Sequence, residues 1–325
     1  MAFSTAEILT FQIALTIIAW GLWGIFDKLA LSRAEPKDVF LVTAILAIPQ
    51  IPLVLFLLTW NYGQWHLSSS LIIYASASAV ISSLGMALYL DSMKRADSSV
   101  VLGMTAAYPL VTQVLGLLIM GETFSTARAI GAVFIALGIV VIGLTDNLSP
   151  MLWQPSTALP PENSEGNSAA AQERKQREEE KNTGYFTGMP VLVTLLLVNL
   201  LWGCKGILEK LSLEHGKPLE VYLAETITTL LLLGPVLTFF IWRGYKPALK
   251  NKHLWKFTGL SELALAIGGW SYLMALSMAP ASYVVTITST YPLVMYVIAI
   301  FVLKEKLSLM RLAGLACIVG GGMLV

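Results

Sequence analysis

Two stretches of the sequence repeat one pattern of residues. Residues 19–36 are AWGLWGIFDKLALSRAEP, and residues 200–218 are LLWGCKGILEKLSLEHGKP. At an offset of 182, from Trp20 to Trp202, both stretches place a Trp-Gly pair, a second glycine, an acid and a lysine near the end of an apolar run. The occurrence of this pattern in both stretches indicates that one structural unit is present twice.

The composition of the whole chain is that of an integral membrane protein. Its 325 residues are 56% hydrophobic and 13% charged, and the mean hydropathy is +0.72. About a quarter of the residues in a soluble domain are charged. The net charge of +1 gives no basic patch for a nucleic acid, so we expect no nucleic-acid partner.

The chain contains ten apolar stretches of the length that crosses a membrane, which is about 20 residues for a helix. A segment in lipid must satisfy its own backbone hydrogen bonds, so each stretch is predicted to be helical. The fold class is therefore an all-α integral membrane protein with ten transmembrane helices. The predicted spans are Ile8–Phe26, Val39–Leu58, Leu71–Leu90, Ser98–Met120, Ala127–Leu144, Met189–Leu208, Leu219–Trp242, Phe257–Met278, Ala281–Leu303 and Leu309–Val325.

A polar segment lies between the fifth and sixth spans. It is rich in Pro, Ser, Asn and charged residues, a composition that cannot bury enough apolar surface to fold alone. We therefore predict a first five-helix repeat over residues 1–145, a charged flexible linker over residues 146–187 and a second five-helix repeat over residues 188–325. A short helix is expected in AAAQERKQREEEK within the linker.

The similarity of the two halves continues beyond the opening stretch. At an offset of 183 the later residues of the first repeat match those of the second, among them Tyr89 with Tyr272, Thr105 with Thr288, Tyr108-Pro109 with Tyr291-Pro292, Glu122 with Glu305, Ser125 with Ser308, Gly131 with Gly314 and Gly138 with Gly321. Because each repeat has an odd number of spans, the second must enter the membrane from the opposite side. Inverted repeats of this kind place a substrate site near the middle of the membrane in secondary transporters.

These residues resemble the EamA type of the drug/metabolite transporter superfamily. The motifs that carry the resemblance are the WG of the first helix in each half, AAYPLV and STYPLV in the fourth and ninth helices, and GETFSTARAIGAVFIALGIVVIG and KEKLSLMRLAGLACIVGGGMLV at the two ends. The resemblance implies a ten-helix secondary carrier that exports amino acids or similar small polar metabolites. The long linker departs from the family pattern.

Lys205 is the first candidate for a substrate-binding residue. A charged side chain at the centre of a membrane helix costs roughly 2.5–3.5 kcal/mol, so it indicates a pathway or a site. Glu209 lies one helical turn further and can pair with Lys205 on one face. Trp23 stands at the position of Lys205 in the first repeat, so this lysine breaks the symmetry of the halves. The alternative is a lysine that extends to the membrane interface.

Other polar residues in the spans have two interpretations each. Glu225 could bind a proton or a substrate amine, and so could Glu262, although lipid headgroups explain Glu262 better if its helix end is misplaced. We expect interfacial anchoring for two acid-lysine pairs at predicted helix ends, namely Asp27 with Lys28 and Glu209 with Lys210.

The two Tyr-Pro pairs predict breaks in the fourth and ninth spans. Proline removes one helical hydrogen bond and disturbs the carbonyl four residues earlier, which belongs to Thr105 or Thr288. Threonine and tyrosine hydroxyls from both halves would then lie at one depth. Aromatic residues could line an apolar vestibule or form interfacial belts, and these are Trp20, Trp23, Trp202 and Trp270.

The sequence lacks the signatures of an enzyme or a metal site. The cysteines Cys204 and Cys317 lie in apolar runs and the three histidines are isolated, so neither a disulfide nor a metal is indicated. Nucleotide-binding and hydrolase motifs do not occur. We expect no enzymatic activity and no cofactor. Glu122 and Glu305 are expected to cap the last helix of each repeat.

The function that best fits these features is a secondary carrier, moving a small molecule through the cell membrane with a proton or a counter-substrate as the driving species. Its predicted site residues are Lys205, Glu209, Glu225, Tyr108, Tyr291, Thr105, Thr288, Trp202, Trp20 and Trp23. The chain would be a monomer or a homodimer in an inner or plasma membrane. The alternatives are a flippase for a lipid-linked headgroup and a scaffold that recruits a partner through the linker.

Two indicators of membrane orientation disagree. The loops that follow the odd-numbered helices hold most of the Lys and Arg residues, which puts the linker in the cytoplasm and both termini outside. The family resemblance implies both termini inside. The orientation stays open at this point.

Overall fold

The computed structural model describes residues 4–122, 126–143, 189–303 and 309–324, and its regular structure in these ranges is helical. Eight of the predicted ten spans are single helices. The fourth and ninth are each divided in two at the Tyr-Pro pair. The helices are α1 Thr5–Leu31, α2 Pro36–Tyr62, α3 Ser69–Arg95, α4 Ser98–Thr105, α5 Pro109–Ile119, α6 Thr126–Gly143, α7 Val191–Leu213, α8 Pro218–Trp242, α9 Lys252–Met278, α10 Ala281–Thr288, α11 Tyr291–Val302 and α12 Leu309–Met323.

The helices have the lengths and composition of membrane spans, as predicted. Among the described residues eight segments are long and apolar enough to cross a bilayer, with α4 and α5 together forming one of them and α10 and α11 another. The remaining two predicted spans correspond to α6 and the shorter α12. The linker with its expected helix and the caps involving Ser125, Glu305 and Ser308 lie outside the described residues.

The second helix of each half begins in the same way. Pro36 and Pro218 occupy the first turns of α2 and α8, where proline lacks only an N–H that would be unpaired anyway. The side chain of the acid two residues after each proline accepts a hydrogen bond from the backbone N–H of the residue that precedes the proline. Asp38 accepts from the N–H of Glu35, and Glu220 accepts from the N–H of Lys217.

These two acids also show that the halves are inverted. Asp38 at the start of α2 accepts hydrogen bonds from the Ala248 N–H at 2.9 Å and the Tyr245 hydroxyl, in the loop that follows α8. Glu220 at the start of α8 accepts from the His66 N–H at 3.1 Å, in the loop that follows α2. Each helix therefore begins where the other ends.

Tyr245, which lies outside the spans, keeps its proton in this arrangement. Burial raises the pKa of its hydroxyl, and the hydrogen bond to Asp38 raises it further. The hydroxyl therefore remains a donor to the carboxylate.

Two names for the membrane faces follow from the chain path. The linker face is the one where α1 ends, α2 begins, α6 ends and α7 begins. The terminal face is the opposite one, where α1 begins and α12 ends.

The halves pack against each other through matched helices, with α1 on α9, α3 on α7 and α6 on α12. Glycines at equivalent positions allow these close contacts. A Cβ atom on Gly85 would lie 2.5 Å from the indole nitrogen of Trp202, and one on Gly268 would lie 2.5 Å from Cδ1 of Trp20. Each glycine thus admits a tryptophan of the other half, which positions both indoles in the interior.

The two lysines that were expected to anchor in the membrane interface instead bind the end of the third helix in their own half. The ammonium of Lys28 donates to the carbonyls of Met93 and Ala96, at 2.7 and 2.5 Å. That of Lys210 donates to the carbonyls of Leu276 and Ala279, at 2.8 and 2.9 Å. Because the last carbonyls of a helix have no partner within the helix, each lysine acts as a C-terminal cap.

Replacing Lys210 by methionine should therefore destabilise the protein. Methionine keeps most of the apolar stem but leaves two carbonyls without their charged donor, and we expect a loss of about 1–3 kcal/mol in the free energy of unfolding. Thermal unfolding of the detergent-solubilised protein measures the change. The control is Lys250→Met, at an exposed lysine in the loop before α9. Equal unfolding midpoints for the two variants would contradict the capping role.

The broken spans do not leave the carbonyl of Thr105 free, and the prediction is wrong on this point. The chain between α4 and α5 tightens into a turn, in which the N–H of Tyr108 donates to Thr105 at 3.3 Å. The carbonyl of Met104 instead accepts the side-chain amide of Asn199 at 3.0 Å. Asn199 lies on α7, so the break in the first half is held by a polar side chain of the second.

Candidate functional site

A cavity of about 220 Å³ lies between the halves. Its walls come from α2, α3, α8 and α9, and residues of α1 and α7 contribute aromatic and charged groups. The polar lining includes Thr43, Gln50, Ser82, Ser83, Lys205, Glu209, Tyr222, Glu225, Thr226, Thr229 and Glu262. A concave site with a few convergent polar groups among apolar ones is the usual form of a small-molecule site.

Lys205 and Glu209 form a buried ion pair in the cavity wall. They stand one turn apart on α7, and the ammonium of Lys205 donates to the Glu209 carboxylate. The Glu209 side chain is only 2% exposed and that of Lys205 is 23% exposed, so the cation keeps access to the cavity. The Lys205 ammonium also lies 5.9 Å from the ring centroid of Tyr272. The pairing agrees with the sequence spacing, and the lysine does not extend to the interface.

Glu225 lies on α8 beside this pair. Its carboxylate accepts a hydrogen bond from the Ser78 hydroxyl at 2.6 Å, and it interacts electrostatically with both Lys205 and Glu209. We call these four residues, Lys205, Glu209, Glu225 and Ser78, the Lys205 cluster. Because α7 ends and α8 begins on the terminal face, the cluster lies in the terminal half of the membrane.

A second group of acids occupies the equivalent position in the other half of the membrane. Glu262 lines the cavity and accepts from the Thr43 hydroxyl at 2.8 Å. Asp27, the counterpart of Glu209, is 2% exposed and accepts from the Ser261 hydroxyl. We call Asp27, Glu262, Ser261 and Thr43 the Asp27 cluster.

The predictions that Asp27 and Glu209 anchor in the interface and that Glu262 contacts headgroups are therefore wrong. Both α1 and α9 extend several residues beyond the predicted spans. Glu262 lies almost three turns into α9, and Asp27 packs inside the protein. The polar residues near these predicted ends thus face the other half of the protein.

Between the two clusters lies a layer of aromatic side chains whose contacts repeat across the halves. The Trp20 and Tyr272 ring centroids are 5.1 Å apart, and those of the equivalent pair Trp202 and Tyr89 are 5.5 Å apart. Tyr291 lies 5.9 Å from Trp20, and Tyr108 lies 6.4 Å from Trp202. With Trp23 these residues form what we call the aromatic layer.

The symmetry of this layer is broken at one position. Trp23 packs on Tyr89 with centroids 4.9 Å apart, whereas the equivalent residue Lys205 places its ammonium over Tyr272. A small molecule is rarely two-fold symmetric, so its binding residues should be found where the halves differ. The structure thus places Lys205, the residue at which the sequence predicts that the two halves differ, in the cavity wall.

The structure brings eight of the ten predicted site residues together around the cavity. They are Lys205, Glu209, Glu225, Tyr108, Tyr291, Trp202, Trp20 and Trp23. Thr105 and Thr288 are fully buried and do not line it. The hydroxyl of Thr105 lies 3.4 Å from that of Tyr291, which places Thr105 behind the aromatic layer. Trp270 is 40% exposed and stands apart.

Sequence reasoning missed several lining residues. Tyr272 carried a usable signal, because it matches Tyr89 in the repeat. Tyr222 and Gln50 did not, although the Tyr222 hydroxyl donates to the Gln50 amide oxygen at 2.8 Å across the cavity. Neither residue repeats in the other half, and each is a single polar group in an apolar run.

The inverted halves, the membrane-length helices and a polar cavity between the halves define the class of protein, a multi-pass membrane transporter built from two repeats. The family model of the EamA-like transporter family matches residues 8–144 and 189–325. The chain therefore belongs to the EamA-like transporter family. The members of this family are transporters and not enzymes.

Two further comparisons concern single proteins. One solved structure, titled "Crystal structure of protein", matches with a TM-score of 0.61 and 13% sequence identity, over 97% of this chain and 96% of that one. At this identity the likeness concerns the fold alone. None of the curated proteins compared with the chain matches it.

Proposed function

We propose that the protein carries small zwitterionic metabolites, amino acids above all, through this cavity. The observation that supports the proposal most is the presence of a cation and a carboxylate, Lys205 and Glu225, on neighbouring walls of one cavity. A substrate carboxylate would pair with the Lys205 ammonium, and a substrate amine would pair with Glu225. Charge-assisted hydrogen bonds of this kind are about twice as strong as neutral ones.

The size and lining of the cavity favour a small substrate. Its volume of about 220 Å³ is below the roughly 300–1,000 Å³ that is typical for drug-sized ligands. The aromatic layer forms an apolar wall beside the charged groups and would accept the side chain of an amino acid. A cation of the substrate could also lie over a ring of this layer.

The repeats supply a route for alternating access. Equivalent contacts join α1 to α9 and α3 to α7, so exchanging the conformations of the two halves would close one side of the cavity and open the other. We place the carrier in the cell membrane, working as an exporter driven by a proton or a counter-substrate, as the family resemblance implies.

The proposal is tested by flux of a labelled panel in proteoliposomes. Each amino acid is compared with its methyl ester, which lacks the carboxylate, and with its deaminated acid, which lacks the ammonium. We expect saturable flux of one or more amino acids and much weaker flux of both analogues. Equal flux of an ester and its parent, or flux of none of the compounds, would contradict the proposal.

Substitution of Glu225 by glutamine tests the amine contact. Glutamine keeps the shape and can still accept from Ser78, but the negative charge is lost. A hydrogen bond to a charged group contributes about 1.5–3 kcal/mol, so we expect the Kd for amino acids to rise about 10- to 100-fold, with little change for the deaminated acids. Competition against the labelled amino acid measures the Kd of the amino acids and of the deaminated acids. Glu214→Gln, at an exposed position beyond α7, is the matched control, and equal losses for both ligand types would contradict the contact.

A further inference from the structure

The two acidic clusters differ in their charge balance. The Lys205 cluster contains one cation and two carboxylates. The Asp27 cluster contains two carboxylates whose hydrogen-bond donors are the hydroxyls of Ser261 and Thr43. In the described part of the chain neither Asp27 nor Glu262 has a partner in an ion pair. The second cluster would therefore hold two negative charges that repel each other if both acids were ionised.

The surroundings of Asp27 compensate for such charge only in part. Its side chain is 2% exposed, and its second carboxylate oxygen, Oδ2, has no hydrogen-bond partner among the described residues. An isolated carboxylate is very unfavourable in an apolar interior, and a buried acid responds by binding a proton. The negative charge of a neighbouring carboxylate disfavours ionisation further.

The groups around Asp27 come from several helices. Tyr89 of α3, Glu262 of α9 and the indole of Trp23 on α1 interact with Asp27, and Ser261 of α9 donates to it. From α2, Thr43 donates to Glu262, and Tyr222 of α8 interacts electrostatically with Glu262. Lys28 follows Asp27 on α1, and its ammonium donates to the carbonyls of Met93 and Ala96. The nearest cation in sequence is thus held by backbone oxygens at the end of α3.

We propose that Asp27 and Glu262 form a proton-binding site, distinct from the Lys205 cluster, that couples transport to a proton gradient. Glu262 lines the cavity, so a proton from cavity water reaches its carboxylate directly. Asp27 accepts from Ser261, which precedes Glu262 on α9, and does not line the cavity. A proton bound at Glu262 leaves to cavity water by the same route when the cavity opens to the other side.

The position of the site explains how substrate and proton could influence each other. The two clusters lie in opposite halves of the membrane, and residues of both clusters line the same cavity. A change that opens the cavity on the linker face would hydrate Glu262 and favour loss of the proton, whereas closure would favour its retention. The transport readout of this inference rests on the proposed carrier function.

The first experiment measures flux with and without an imposed gradient, in wild type and in Asp27→Asn. Asparagine keeps an oxygen that accepts from Ser261 but cannot bind the proton. For a gradient of about one pH unit we expect stimulation of flux in wild type, with the substrate accumulating up to about tenfold if one proton moves per substrate. We expect no stimulation in Asp27→Asn, with exchange of internal for external substrate retained in the variant. Glu214→Gln should behave like wild type.

Three outcomes would overturn the proton site. They are wild-type stimulation in Asp27→Asn, loss of exchange in a correctly folded Asp27→Asn, and stimulation of wild type by a sodium gradient in place of the pH gradient. Glu262→Gln provides a second variant if Asp27→Asn does not fold, and it should likewise lose the stimulation by the pH gradient.

A second experiment is independent of transport. Infrared difference spectra of the membrane-reconstituted protein, recorded while the pH is raised, should show loss of a protonated carboxylic acid band in wild type and Glu214→Gln. We expect this band to be missing or displaced in Asp27→Asn and Glu262→Gln. Identical titrations in all four proteins would overturn the site. If wild type carried no compound, the proposed function would fail, and the infrared result would still decide the proton site.

Discussion

Replacing Lys205 by methionine should abolish transport at low substrate concentration. Methionine fills a similar volume beside Tyr272 but provides no charge for a substrate carboxylate. Removing one partner of a buried, hydrogen-bonded charge pair costs about 2–5 kcal/mol, so we expect flux at low substrate concentration to fall at least about 30-fold. Initial rates in proteoliposomes with equal amounts of protein measure the loss.

Two further variants separate substrate binding from folding. Lys205→Met leaves the Glu209 carboxylate buried without its cation, and this can destabilise the protein. The double variant Lys205→Met/Glu209→Gln removes both charges, and we expect it to be stable but inactive. Lys250→Met, at an exposed lysine, should transport like wild type. Full transport by Lys205→Met would show that the substrate does not bind there.

A large loss of stability is expected for Gly321→Val. A Cβ at Gly321 of α12 would lie 2.5 Å from the carbonyl oxygen of Gly131 and 2.8 Å from the backbone nitrogen of Ile135, both on α6. In the symmetric contact, a Cβ at Gly138 of α6 would lie 2.4 Å from the carbonyl oxygen of Gly314 on α12. Because backbone atoms cannot move aside as a flexible side chain can, the helices must separate, and overpacking of this kind costs about 1–3 kcal/mol or more.

The neighbouring glycine gives a matched control for this variant. A Cβ on Gly320 meets nothing within 4 Å, so Gly320→Val should change the free energy of unfolding by no more than about 0.5 kcal/mol. Thermal unfolding in detergent compares the two. If both variants unfolded at the same temperature, α6 and α12 would not pack through their glycines.

The fold was predictable because matching residues occur at a nearly constant offset in the two halves of the sequence. The offset from Trp20 to Trp202, with an odd number of spans in each half, is enough to predict the inversion, and the Asp38 and Glu220 contacts agree with it. The Tyr-Pro pairs likewise predicted where the fourth and ninth spans break. The repeat and the Tyr-Pro pairs can both be recognised from the order of residues, so their prediction needs no knowledge of tertiary contacts.

The Asp27 cluster could not be found in the same way. A run of apolar residues in the sequence shows only which part of a helix lies in the hydrocarbon core. The helices α1 and α9 are longer than this, since each has 27 residues and a length of about 40 Å. The hydrocarbon core is about 30 Å thick. Residues near a predicted helix end can therefore lie inside the protein, and only the partner helix decides this. Asp27 is buried because Ser261 of the other half packs against it.

The most direct test of the central claim, a carrier with one site between its halves, is counterflow. Proteoliposomes loaded with an unlabelled amino acid that the protein transports are diluted into a trace of the labelled compound. We predict transient accumulation of label above equilibrium for wild type and none for Lys205→Met. Label that only equilibrates in wild type, or full accumulation in Lys205→Met, would contradict a site of alternating access at this lysine.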